Sequence, residues 1–261
     1  MRDACHPDRR DGPGAPAGPT LRGVNRRVSA RSLTTTGAVA GEFARRGSGY
    51  VLASIITGVL AGRRRMGRVR VQDGVAVALV VAAQPFFEWA LHRYVLHGPP
   101  RRVHGRTVDA GVPHRGHHEV PDDVGGALLG PSFAASDSVG VAALVTGVGL
   151  LTTPLVGRVP WRGIVTGVAA GVGGLARYEW AHLLHHSGRR PRTARGRRLR
   201  AHHMAHHHRD EGAWFGVTGD LADRVFGTAP HRARLDGLQP LRRVSTLAVT
   251  RPTAASRAPS P

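Results

Sequence analysis

Four apolar runs mark the middle of the 261-residue chain, and charged or histidine-rich stretches separate them. The first, GYVLASIITGVLAG at residues 49–62, is short and ends on Arg63, Arg64 and Arg65. The second, GVAVALVVAAQPFF at 74–87, continues into EWALHRYVLH. The third, at 138–157, holds 20 uncharged residues, and a helix rising about 1.5 Å per residue over that length crosses a hydrocarbon core of ~30 Å. The fourth, GIVTGVAAGVGGLA at 163–176, becomes long enough to span when read as one helix with RYEWAHLLHH. Glycine weakens such helices in water but is common where membrane helices pack. Taken singly, the short runs also suit core helices of a soluble protein, and the 20-residue run decides for a membrane.

The pattern predicts an all-α fold: an integral membrane bundle of about four transmembrane helices with a cytoplasmic, helical, histidine-rich cap. Residues 1–47 read as a disordered basic leader, 48–230 as the membrane domain and 231–261 as a disordered basic tail. Two crossings separate the histidine-rich regions, so both emerge on one side. Trp89 and Trp180, each just before a histidine cluster, suit the aromatic belt of a membrane interface. Run one either spans or lies re-entrant or interfacial.

Charge narrows the partners. The formal net charge is +20, every one of the 37 basic residues is arginine, and residues 189–261 carry 15 arginines against 5 acids. Such a balance attracts polyanions, but aromatic residues are only 5% of the chain, too few for the stacking platforms of a nucleic-acid reader. An anionic membrane face remains. Arg63, Arg64, Arg65, Arg68 and Arg70 fall on the side opposite the histidines, against the positive-inside rule. The heavier arginine load of the tails and of residues 93–115 outweighs them, so the protein is expected to be a multi-pass cell-membrane protein with its histidines facing the cytoplasm. Cys5 is the sole cysteine, which leaves only N and O ligands for any metal.

Of the 16 histidines, 13 fall in four short clusters. Residues three and four apart share a helical face, so HxxHH groups His114, His117 and His118, and again His203, His206 and His207. His182 and His186 also share a face. His92 and His97, five apart, diverge by about 140° at 100° per residue; they fit where a helix end distorts, or where each serves a different metal. Ten such histidines exceed what two closed tetrahedral sites require, and five per metal leaves an open octahedral position for oxygen or water. That count favours a reactive dinuclear centre. Glu88 and Glu179 recur about one turn before the first histidine of their clusters, each as a carboxylate that orients an imidazole or as an interfacial charge. Asp210 and Glu211 have the same standing, Asp220 and Asp223 cap or pair with Arg224, and GVT and FGT read as turns folding the C-terminal segment under the metal site. GHHEV is not HExxH, so a zinc hydrolase is not indicated.

The order HxxxxH, HxxHH, HxxxH, HxxHH, followed by FGVTGDLADRVFGT, resembles the fatty acid hydroxylase and sterol desaturase superfamily of integral-membrane di-iron enzymes, over roughly residues 85–229. The resemblance implies that His92, His97, His114, His117, His118, His182, His186, His203, His206 and His207 hold two iron ions, which zinc can replace, with no further catalytic residue. It implies that O2 is split with two electrons from a separate ferredoxin or cytochrome b5-like donor and its reductase, one oxygen atom entering a C–H bond of a membrane lipid. His185, His202 and His208 fall where the family has other residue types, and join Glu88, Glu179 and Asp210 as supporting residues around the ligands. Hydroxylation of a fatty acyl or related chain is the reading taken; carotenoid or sterol ring hydroxylation or desaturation is its nearest alternative. A non-catalytic membrane metal-binding or transport protein is the alternative from another class, although transporters place their ligands near the midplane rather than past helix ends. Iron binds neutral imidazole, so activity is expected to fall below pH ~6.5.

Overall fold

The computed structural model describes residues 28–46 and 48–229. A 3-10 turn, Ala30–Ser32, precedes α1 (Thr36–Arg45), α2 (Ser48–Arg65) and α3 (Val71–Leu91). A π-helical turn, His92–Leu96, extends α3 towards a hairpin of β1 (Arg101–Val103) and β2 (Arg106–Val108). The hairpin is antiparallel and pairs Arg101 with Val108; His104 and Gly105 both take positive φ at its tip, as a two-residue type I′ turn requires. The chain continues through α4 (Val112–Glu119), α5 (Val124–Ala127), α6 (Pro131–Leu151), α7 (Thr153–Val156), α8 (Trp161–His186), α9 (Ala194–His208) and α10 (Leu221–Val225).

Runs one, two and four each form the body of one long helix, whereas run three is divided between α6, which ends at Leu151, and the short α7; α8 is the central helix, packed against α2, α3 and α6. Its glycines make the close packing. A Cβ at Gly167 would stand 2.9 Å from Val145 Cγ1, and one at Gly171 2.6 Å from Val141 Cγ1, so α6 approaches only because both side chains are absent. Leu52 of α2, Ala134 of α6 and Val172 of α8 form a buried apolar cluster on the same axis. Run one is therefore a continuous bundle helix.

Two stretches, Val71–Leu96 and Val124–Leu155, are long and apolar enough to cross a membrane by length and composition. Their apolar side chains largely face outward: Val75, Leu79 and Val81 on α3, and Val139, Leu144 and Val148 on α6, are exposed. A soluble protein would bury such helices in its core.

At the end of the bundle away from the histidines, a buried ion pair ties three helices together. Arg63 Nε donates to Asp73 Oδ1 at 2.7 Å and Nη2 to Oδ2 at 2.5 Å. Thr166 of α8 donates to Asp73 Oδ1, and the Arg70 amide to Oδ2, capping α3. Arg63 Nη1 closes the α2–α3 turn on the Gly67 carbonyl at 2.9 Å, where Gly67 takes a φ of 96° that side-chain-bearing residues rarely adopt.

The structure alters two expectations. Residues 28–46, placed by the sequence in the leader, are largely helical: Val39 of α1 joins Ala30, Leu33, Val124, Leu128 and Leu183 in a buried cluster, and Phe43 packs edge-on against Trp180. The rest of that leader, and the whole expected tail from residue 231, lie outside the described residues. Trp89 is not an interfacial aromatic; it is buried among Phe215, Phe226 and Tyr94 and donates to Thr228 Oγ1 at 2.8 Å.

Removing one partner of a buried pair leaves an uncompensated charge, whereas replacing both by apolar residues is often neutral. Asp73→Ala is therefore expected to lower the thermal unfolding midpoint in detergent, and the double variant Arg63→Met with Asp73→Leu to recover most of that loss. Equal destabilisation in both would refute this account of the clasp.

Candidate metal centre

Four helix ends converge on one buried cluster of imidazoles. His92, His97, His114, His118 and His206 form one group, and His117, His182, His186, His203 and His207 a second, with the ligand atoms of each group within 4.8 Å of one another. Both groups consist of imidazoles alone. The three histidines of an HxxHH box do not act together. In each box the first and last, four apart, share a group, while the middle one turns into the other: His114 and His118 against His117, and His203 and His207 against His206. The groups are neighbours, for the His118 and His207 rings stack with centroids 4.0 Å apart.

His92 and His97 share a group because the helix is deformed between them. The π-helical turn His92–Leu96 closes with the His97 amide on the His92 carbonyl at 3.0 Å, and an i→i+5 turn brings residues five apart to one face. On α8, His182 and His186 need no such device. Thr193 fixes the start of α9 by accepting the Gly196 amide at 3.1 Å, and so sets the phase of His203, His206 and His207.

The segment after α9 holds the imidazoles in place. Ala213 to Thr218 are all buried. His206 Nδ1 donates to the Ala213 carbonyl at 2.7 Å, His92 Nδ1 to the Phe215 carbonyl at 2.5 Å, and His185 Nε2 to the Val217 carbonyl at 2.9 Å. The amides of the same segment are taken by two carboxylates. Asp223 accepts from Phe215 and Gly216 at 2.9 and 2.8 Å. Glu88 accepts from the Val217 and Thr218 amides, and from the Thr218 hydroxyl at 2.6 Å. Arg177 donates to that hydroxyl at 2.5 Å. Gly216 has no room for a Cβ, which would strike the Gly219 carbonyl and the Asp223 carboxylate. Trp214 takes a φ of 54°, a conformation that is costly for a bulky residue unless its surroundings enforce it.

A carbonyl can only accept, so His92 and His206 carry their proton on Nδ1 and present an Nε2 lone pair to the group. Adjacent Nε2 atoms stand 3.0 Å apart for His92 and His114, His114 and His97, and His97 and His206. In the second group, His186 Nε2 lies 3.0 Å from His117 Nε2 and 2.9 Å from His203 Nε2. His182, hydrogen-bonded to the Ala127 carbonyl, leaves a buried Nε2 with no partner. Nitrogens bound at about 2.0–2.1 Å and at right angles around one ion lie ~3.0 Å apart, so each group fits a metal ion.

Burial also favours the neutral imidazoles a metal needs. Desolvation holds His114, His117, His203 and His207 far below the ordinary imidazole range, and neighbouring imidazoles reinforce it. His118 is pushed down to about 4 and His206 to about 3, again chiefly by burial. Proton competition at these positions thus sets in below the pH ~6.5 expected from an unperturbed imidazole.

The other residues singled out from the sequence stand around these groups in different roles. Neither Glu88 nor Glu179 orients an imidazole directly: Glu88 holds the 217–218 amides, and Glu179 accepts the Leu129 amide at 2.7 Å. Glu211 is the carboxylate that reaches a ring, 3.3 Å from His118 Nδ1. Asp210 accepts the Gly212 amide, His202 stacks over Trp214, and His208 is exposed. His185 belongs to neither group because its Nε2 is committed to Val217. Asp220 pairs with Arg224 at 2.8 Å, and Asp223 instead holds the buried segment. The carbonyls of Ala213, Phe215 and Val217 were not anticipated; a backbone oxygen has no sequence signature.

Replacing His186 by alanine removes one of five nitrogens from the second group, and is expected to weaken metal binding by more than the ~10–100-fold that loss of an outer partner costs. His208→Ala should leave metal content unchanged. Metal analysis of the two purified variants checks this; equal metal loss in both would remove the basis for the grouping.

The sequence pattern of the fatty acid hydroxylase family matches residues 77–228. A dihydroceramide fatty acyl 2-hydroxylase of Arabidopsis thaliana is 29% identical over 159 residues, which cover 61% of this chain and 62% of that protein. The fatty acid 2-hydroxylase of Mus musculus is 30% identical over 144 residues, covering 55% of this chain and 36% of that protein. The match thus spans about three fifths of the plant relative and about a third of the mouse one. Among solved structures, full-length Scs7p, of which only the hydroxylase domain is visible, shares the fold with a TM-score of 0.55 at 20% identity, over 70% of this chain and 66% of that one. The pattern match covers more than half of the sequence, and the chain belongs to the fatty acid hydroxylase family.

Proposed function

We propose that this protein hydroxylates the fatty acyl chain of a membrane lipid, at carbon 2, in an O2-dependent reaction. The observation that carries the reading is the pair of five-imidazole groups, set at one end of helices whose apolar flanks face outward. The relatives with fatty acid and dihydroceramide 2-hydroxylase names favour an acyl chain over a carotenoid or sterol ring. Two iron ions held by the ten histidines would supply the reduction of dioxygen and the attack on an unactivated C–H bond. The chain's own residues keep ten neutral nitrogens convergent, exclude water by burial and fix the tautomers of His92 and His206. The overall balance adds one oxygen atom of O2 to the acyl carbon and reduces the other to water, consuming two electrons and two protons.

In this reading α2, α3, α6 and α8 are four membrane spans and the histidine end is a cytoplasmic cap. The electrons come from a separate carrier protein. Residues 187–209 support an acidic one: eight arginines and no acid, with Arg190, Arg192, Arg195 and Arg197 exposed on or just before the helix that bears His203, His206 and His207.

Cells that lack 2-hydroxylated lipids, given 18O2 and expressing the wild type, are expected to accumulate 2-hydroxy acyl lipids carrying one 18O atom; His203→Ala should abolish them. Unlabelled lipids in cells whose purified protein contains metal would overturn the assignment.

A further inference from the structure

The two histidine groups are built differently. The second group draws its nitrogens from the bodies of α4, α8 and α9, with a backbone anchor for His182 on the Ala127 carbonyl, while His117, His203 and His207 have no partner on Nδ1 among the described residues. The first group instead leans on the segment that follows α9. His92 and His206 are tethered to the Phe215 and Ala213 carbonyls, and Glu211 faces the Nδ1 atoms of His118 at 3.3 Å and His97 at 3.9 Å. Two of its five members are thus hydrogen-bonded to residues 213–215, and the Glu211 carboxylate lies beside two more. That segment forms no regular ladder; Glu88 and Asp223 hold the four consecutive amides from Phe215 to Thr218.

We infer that Glu88, with Asp223, is a positioning residue that governs metal occupancy of the first group alone, so that the C-terminal segment acts as a removable clamp on one ion while the helices hold the other. Glu88 touches no imidazole. It lies in α3 one turn before His92, and its carboxylate fixes Val217 and Thr218, and through them the Phe215 carbonyl that sets the His92 tautomer. Without it, two buried amides lose their acceptor, which favours release of the segment to water. The His92 and His206 rings are then free to rotate and to exchange tautomers. His182, His186, His203 and His207 stay on intact helices.

The inference rests on the two-metal reading and is tested by metal content rather than turnover. Wild type, Glu88→Ala, Glu88→Gln and Thr218→Val are loaded with cobalt(II), and bound metal and visible absorption are measured, with His92→Ala and His182→Ala as references for loss from the first and second group. Glu88→Ala is expected to fall from two ions per chain to one and to give the His92→Ala spectrum. Glu88→Gln keeps an acceptor oxygen for the amides and should recover part of the second ion. Thr218→Val removes one of the three bonds to Glu88 and should weaken the first site by a smaller factor, which decides the matter if Glu88→Ala does not fold. Retention of two ions, loss of both together, or a spectrum matching His182→Ala would overturn the inference while leaving the dinuclear reading intact. A wild type that binds no metal would overturn that reading itself.

Discussion

The proton on His92 and His206 sits where two backbone carbonyls put it. Because the Phe215 and Ala213 oxygens accept and cannot donate, each ring carries its hydrogen on Nδ1 and turns a lone pair inward. Much of the site follows from this constraint. The carbonyls are available only because their segment lies under the helices in an irregular path, with Trp214 in a left-handed conformation. Its amides, which a sheet or helix would otherwise satisfy, must then find buried acceptors. Glu88 and Asp223 supply them, and the burial of these carboxyl groups is offset because each accepts at least three hydrogen bonds.

The HxxHH boxes solve a geometric problem that a single face cannot. Positions i and i+4 diverge by about 40° and i+3 by about 60° in the opposite sense, so a helix presents a pair of rings to one group and a single ring to the other. α4 gives two rings to the first group and one to the second, and α9 does the reverse. The remaining pairs come from α3 with its π-helical turn and from α8, so the two groups have an approximate internal symmetry in which both draw on α4 and α9. A shift of α4 or α9 therefore disturbs both groups, whereas a shift of the segment after α9 disturbs one.

Much of this was legible in the sequence. Apolar run lengths located α2, α3, α6 and α8, and helical spacing grouped eight histidines, with His92 and His97 added by the family resemblance, although it placed the three members of each HxxHH box together when they split two and one. What stayed hidden has physical causes. The five-residue spacing of His92 and His97 pointed to a distorted helix end, but nothing in HRYVL marks that distortion as a π-helical turn. Helix α1 is short, and its Val39 and Phe43 pair acquires meaning only against Leu183 and Trp180. Arg63 reads as one of three flanking charges, yet it alone of them is buried, against Asp73. Glu88 was noticed for its distance from His92, but it acts on amides 129 and 130 residues further along the chain.

Ten neutral imidazoles in a buried space do little to hold a fold together before a metal arrives, since their inward lone pairs repel and their outer nitrogens are only partly satisfied. The frame must be stable without them. The buried pair of Arg63 and Asp73 anchors α2, α3 and α8 at the far end, and the close contact of α6 at Gly167 and Gly171 sets the middle of α8. From Thr166, where that clasp grips α8, to His182 is 16 residues of continuous helix, about 24 Å at 1.5 Å per residue. A rigid lever of that length carries position from a metal-independent clasp to the ligands. The same bundle therefore supports one histidine group built on α4, α8 and α9, beside a group completed by a segment that has no helix of its own.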